Sequence, residues 1–157
     1  MDYHIRKASK KDFKAVNEFF IALHQYEHKE FGQVLNLAWP NSVAGQNFIK
    51  KHFYEPHNIV FVAVKDKKIV GHVFGGKVST SRAWKPVKQF LLANIYVHED
   101  FRSAGIGADL METFTSWAKE NGAKRIKLHA FAKNKKAIKL YKKHGFKDSV
   151  STLTLDI

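Results

Sequence analysis

The run Arg102-Ser103-Ala104-Gly105-Ile106-Gly107-Ala108 joins the end of an apolar, strand-like segment to the start of a helical stripe. Glycine at two of these positions lets backbone N–H groups turn inward with no Cβ in the way. The helix that follows presents free amides and the positive end of its dipole. Together these make a nest for a diphosphate, to which Arg102 can add a charge-assisted contact. The lysine of P-loop nucleotide hydrolases is missing from the run. The dinucleotide-binding fingerprint is absent too, because only two of its glycines can be placed. With no cysteine in 157 residues, a thiol nucleophile, a thiolate metal site and disulfides are excluded, and no metal centre is expected.

The elements that must hold this turn follow from periodicity. His4 to Ala8 reads as a first strand. Ser9 caps a helix with Asp12 three positions on, and Phe13, Val16, Phe20 and Leu23 carry that helix to about His28. Glu30–Pro40 reads as an aromatic loop, and Asn41-Ser42 caps a second helix through Phe53, before Pro56. Ile59–Lys65 and Ile69–Ser79 form a hairpin around Asp66-Lys67-Lys68, with a bulge or close backbone approach at Gly75-Gly76. Ser79–Gln89 is a polar loop and Phe90–His98 a strand. Leu110, Met111, Phe114, Trp117 and Ala118 then share one helical face, closed by Asn121-Gly122. Arg125–Phe131 alternates as a strand, Asn134–His144 is a helix closed by Gly145, and Val150–Ile157 is expected to be a last strand. The second half thus alternates strand and helix, which favours a parallel pair. With the antiparallel hairpin before it, the expectation is one domain, 1–157, built on a mixed α/β sheet with helices on both faces.

The net charge of +13 favours anionic partners. Nucleic acid is one reading of that charge, but only four of the 27 basic residues are arginine and no aromatic platform accompanies them. The N-terminal Met1–Lys7 is charged and has no apolar core, unlike a signal peptide. The longest apolar run, Ile59–Val64, falls far short of the roughly 20 residues of a membrane span. The expectation is a soluble, cytoplasmic protein with no membrane or nucleic-acid partner.

The Arg102–Ala108 run resembles the acetyl-CoA signature of the GCN5-related N-acetyltransferase (GNAT) superfamily: Gln or Arg, two residues, Gly, one residue, then Gly or Ala. Arg102, Gly105 and Gly107 match it. Ile95–Phe101 is similar to the family's fourth strand and its exit, and Asn134, Ala137, Leu140-Tyr141 and Gly145-Phe146 to its second cofactor segment. The resemblance implies a mostly antiparallel sheet splayed at strands 4 and 5, flanked by about four helices. It implies acetyl-CoA as co-substrate, held by Ile95, Tyr96 and Val97, by the amides of Arg102, Ser103, Ala104, Gly105, Ile106, Gly107 and Ala108, and by Asn134 and Ala137. It implies direct attack of an amine, from a small molecule or a protein, on the thioester. The Val97 N–H would steady the oxyanion, and Tyr141, seven residues after Asn134, would be the acid.

Two departures from the family pattern stand out. Relatives often carry a glutamate on the fourth strand, where this chain has Ala93 and Asn94. Asn94 could orient a water, and Glu27, His72, His98 or His129 could serve as base. A non-catalytic CoA-binding module is the alternative. Only eleven residues follow Phe146, enough for one strand where the family usually has two. The shortened C-terminal strand region leaves the acceptor site open or completed by a second subunit, so a homodimer is expected; light scattering at micromolar concentration would test it. The acceptor region around the first two helices contains Glu27, Glu30 and Trp39, acidic and aromatic groups suited to an amine cation.

Overall fold

The computed structural model describes residues 2–32, 34–155 and 157. Five strands form one sheet in sequential order: β1 (His4–Lys7), β2 (Asn58–Lys65), β3 (Lys68–Val78), β4 (Gln89–Val97) and β5 (Arg125–Lys127). All neighbours are antiparallel except β4 and β5, which run parallel. Four helices flank the sheet: α1 (Phe13–Phe31), α2 (Val43–Tyr54), α3 (Ile106–Glu120) and α4 (Lys135–Lys143).

Strand alternation divides the apolar residues between two faces. On one, Leu110, Met111, Phe114 and Ala118 of α3 pack on Ile59, Ala63, Val73, Phe90 and Leu92. On the other, Val16 and Phe20 of α1 and Ile49 of α2 pack on Val60, Val62, Val64 and Phe74. At the start of α1, Asp12 accepts from the Ser9 backbone N–H at 2.6 Å and from both terminal nitrogens of Arg6, at 2.7 and 2.9 Å. The Arg6 bond, with those from Ser9, holds the Asp12 carboxyl well below the usual carboxylate range.

Two departures from a regular ladder shape the centre of the molecule. First, the β3–β4 register steps from Phe74 opposite Asn94 to Gly75 opposite Leu92, so Ala93 bulges. Gly75 allows this, because a Cβ there would run into the Leu91 carbonyl oxygen and the Phe114 ring. The bulge turns Ala93 and Asn94 toward α1, whereas Leu92 packs with α3. Second, β5 pairs with β4 only from Gln89–Arg125 to Leu91–Lys127. β4 runs six residues further, to Val97, and the chain after Lys127 leaves the sheet.

Three expectations are corrected here. The strand expected over Arg125–Phe131 ends at Lys127, because β4 diverges and nothing remains to complete the ladder. Val150–Leu155 and Ile157 form no strand: they pair with neither edge of the sheet, β1 or the three-residue β5. α1 continues past His28 to Phe31, whose ring stacks on Phe131 at 5.6 Å, and the end of the expected Glu30–Pro40 loop, with the expected cap residue Asn41, is a short 3-10 turn, Trp39–Asn41.

Candidate active site

The divergence of β4 and β5 creates a gap with unpaired backbone. The His98 N–H donates to the Val70 carbonyl at 2.9 Å, so residue 98 faces β3. By alternation, Tyr96 also faces β3, whereas Ile95 and Val97 turn their N–H and C=O groups into the gap. β5 has left the sheet by that point.

The Arg102–Ala108 turn closes one end of the gap. Ser103 and Gly105 both take left-handed backbone angles, with φ of 66° and 86°. The Arg102 N–H donates to Glu99, and those of Ala108 and Asp109 donate to Gly105. The five amides between, Ser103 to Gly107, have no acceptor among the described residues. Such a concavity of unsatisfied N–H groups at a helix start fits a diphosphate. A Cβ at Gly107 would point between Val97 at 3.8 Å and Leu140 at 3.7 Å, into the space that joins turn and gap. Tyr3 from the N-terminal segment donates its hydroxyl to Asp109 in the first turns of α3, and this bond pushes the tyrosine up to about 12.

Across the gap, Asn134 caps α4 by accepting from the Ala137 N–H at 3.1 Å. Its carbonyl is therefore committed, and its Nδ2 has no partner among the described residues. Tyr141 packs edge-on against Phe146, at 6.1 Å between ring centroids.

Glu27 on α1 comes near enough to Tyr141 on α4 for its charge to act on that hydroxyl. It lies seven positions after Phe20 and eleven after Val16, on the stripe by which α1 meets the sheet. Burial alone pushes its carboxyl up to about 7. Burial, and then the nearby Glu27 charge, push the Tyr141 hydroxyl up to about 12. One group thus changes charge near neutrality while the other keeps its proton. The sequence carried a signal for this, since Glu27 continues the spacing of Val16, Phe20 and Leu23.

His72 on β3 is wholly buried, and burial pushes it down to about 4. Its ring contacts Asn94 at 2.7 Å through Nε2, while Nδ1 is sealed in the core with no partner among the described residues. A buried lone pair without a donor costs less than a buried N–H without an acceptor. The proton therefore sits on Nε2, which donates to Asn94 Oδ1. His98 accepts from the Asp100 N–H at 3.4 Å, and His129 is exposed in the loop after β5. Trp39 packs into the second core against Phe20 and Phe48, at 5.8 and 5.5 Å, and Glu30 is exposed at the end of α1.

Arg102 departs from the turn it begins. Its Nε donates to the Val97 carbonyl at 3.1 Å, and its guanidinium carbon lies 5.1 Å from the Tyr26 ring and 5.7 Å from the Tyr96 ring. The side chain is held between α1 and the end of β4, an arrangement that spacing alone did not reveal.

A family model, acetyltransferase (GNAT) family, matches residues 18–146. The chain belongs to the GNAT acetyltransferase family. An N-alpha-acetyltransferase of Sulfurisphaera tokodaii is 32% identical over 121 residues, which cover 74% of this chain and 72% of that one. Among solved structures, a mutant of the BH1408 protein from Bacillus halodurans superposes with a TM-score of 0.84 at 23% identity, covering 98% of this chain and 99% of that one. AAC(6')-Iy in complex with a bisubstrate analogue containing CoA superposes with a TM-score of 0.73 at 14% identity, covering 100% of this chain and 99% of that one. These two share this chain's fold. Two uncharacterised N-acetyltransferases of Bacillus subtilis match over short segments, so this chain covers only 22% and 39% of their lengths. No helix among the described residues is long and apolar enough to cross a membrane.

Proposed function

We propose that this protein is an acetyl-CoA-dependent N-acetyltransferase, which moves an acetyl group to a primary amine by direct attack on the thioester. The observation that carries this reading is the gap beside β4. There, the Ile95 N–H and C=O and the Val97 N–H, which have no partner among the described residues, adjoin the acceptor-free amides of Ser103 to Gly107. The amides fit the diphosphate of the co-substrate. Ile95, Tyr96 and Val97 supply strand-like backbone for the pantetheine arm, Asn134 adds its Nδ2, and Ala137 leaves room. Gly107 keeps the route open.

Acetyl-CoA supplies the activated acyl group. The protein's part is to orient it and to manage two protons. Glu27 takes the proton that an amine must lose before attack, and its pKa of about 7 suits a base at neutral pH. The Val97 N–H faces the gap and steadies charge on the thioester oxygen. Tyr141, still protonated at neutral pH, donates to the departing sulfur. Asn94 cannot act as base, because an amide accepts no proton at this pH.

The reading is tested by thiol release from acetyl-CoA across a panel of amines. Tyr141→Phe should lower kcat at least about tenfold with the KM for acetyl-CoA unchanged, the scale of a lost proton-transfer partner. No release with any amine would leave only the non-catalytic CoA-binding module. A homodimer and a cytoplasmic setting belong to the same reading. The first is supported by the exposed Val150, Leu153 and Leu155, which lie in a segment without a strand partner, and the second by the cysteine-free composition.

A further inference from the structure

We propose that Arg102 clamps an anion in the acceptor cleft, and that the acetylated amine is a small molecule carrying a carboxylate, as a free amino acid does. This deepens the acetyl-transfer reading above and rests on it. The guanidinium lies on the α1 side of β4, bracketed by Tyr26 and Tyr96, and not in the concavity of the turn. Its Nε is spent on the Val97 carbonyl, which ties it to the residue whose N–H faces the thioester. The two terminal nitrogens make no hydrogen bond among the described residues, and no ion pair there involves Arg102. Two rings and one hydrogen bond thus hold a planar fork with its outer donors unused. Such a fork matches a carboxylate bidentately at little entropic cost.

A second donor lies on the same face. The His72 Nε2–H engages the Asn94 carbonyl, so the Asn94 amide presents its NH2 group outward. That NH2 has no partner among the described residues, and it is not sealed in the core as the His72 Nδ1 is. β4 and the turn after it therefore carry two donors on the α1 side, Asn94 and Arg102, and α1 carries the carboxylate Glu27 next to the Tyr26 that meets the guanidinium. That polarity suits a zwitterion: the ammonium meets Glu27 and the carboxylate meets β4. A polycation would find one partner and a guanidinium in its way. The charge of +13 over the whole chain agrees in sign.

The experiment compares matched pairs, amino acids against their carboxamides, with acidic peptides as a third arm, in wild type, Arg102→Gln and Arg102→Lys. Glutamine also satisfies the family signature at this position, so the backbone cradle is preserved. Wild type should favour the acids over the amides at least about tenfold in kcat/KM, the scale of a hydrogen-bonded charge. Arg102→Gln should abolish that preference through the KM for the acceptor, with the KM for acetyl-CoA within about twofold of wild type, and Arg102→Lys should keep part of it. Equal use of acids and amides by wild type would overturn the proposal, as would reaction with peptides alone. A rise confined to the KM for acetyl-CoA would assign the guanidinium to the co-substrate instead. Absence of thiol release in every arm would instead remove the acetyl-transfer reading itself, a distinct result.

Discussion

Glu27 stands on α1 and Tyr141 on α4, near enough for the Glu27 charge to act on the Tyr141 hydroxyl. Burial raises both, with opposite consequences at neutral pH: it brings the carboxyl into the titrating range and moves the phenol beyond it. The rate should therefore rise with pH as Glu27 ionises through about 7. Glu27→Gln should remove that limb of the pH profile and lower kcat by about a hundredfold, the usual scale for losing a general base. A limb set by the acceptor amine's own pKa should survive. An unchanged profile in the variant would exclude Glu27 as the base. His72 acts differently, because its single proton is committed to Asn94 and its ring is stacked on Phe74 at 5.4 Å. It fixes which way an amide points, and it takes no proton from solvent.

At the scale of elements, the site is a place where two strands stop pairing. The bulge at Ala93 re-aims β4, and the short β5 leaves the backbone of Ile95 and Val97 uncovered. α3 then begins at the mouth of the gap, with Gly107 as its second residue. Alanine at that position would make ordinary contacts with Val97 and Leu140. Valine would extend its methyl groups into the space between them. Gly107→Val should therefore fold, with far-UV circular dichroism and Tm close to wild type, but raise the KM for acetyl-CoA at least about tenfold. If that KM is unaffected, the co-substrate does not pass between β4 and α4.

At the scale of the whole molecule, stability should depend on pH through buried histidines. Burial pushes both His52 and His72 down to about 4 from an ordinary 6.5. The unfolded chain binds those protons first, so the stability they contribute is full above about 6.5 and is lost as pH falls toward 4. Asp12, held low by Arg6, adds a second loss below its ordinary value of 3.8. Glu27 has the opposite sign: its contribution is present below about 4.5 and is lost as pH rises through about 7. Thermal melts should show Tm dropping between pH 6.5 and 4, and His52→Phe should flatten that slope. An equally steep slope in the variant would show that the His52 site does not refuse its proton.

The sequence by itself determined the parts whose causes are local. Gly105 supplies a left-handed angle that helps aim successive N–H groups inward, and Gly107 carries no Cβ beside Val97 and Leu140. The stripes of α1 and α3, the Ser42 cap of α2 and the turn at Asp66-Lys67 are likewise short-range. The Gly75-Gly76 pair announced the bulge. Tertiary structure alone decided the rest: that Glu27 comes near Tyr141, that His72 orients Asn94, and that Arg102 leaves its turn for Tyr26 and Tyr96. It also decided that Val150–Leu155 finds no partner and that β5 stops at Lys127. Each depends on groups distant in sequence that folding brings into contact. Periodicity reports which face a side chain takes, but not what waits there.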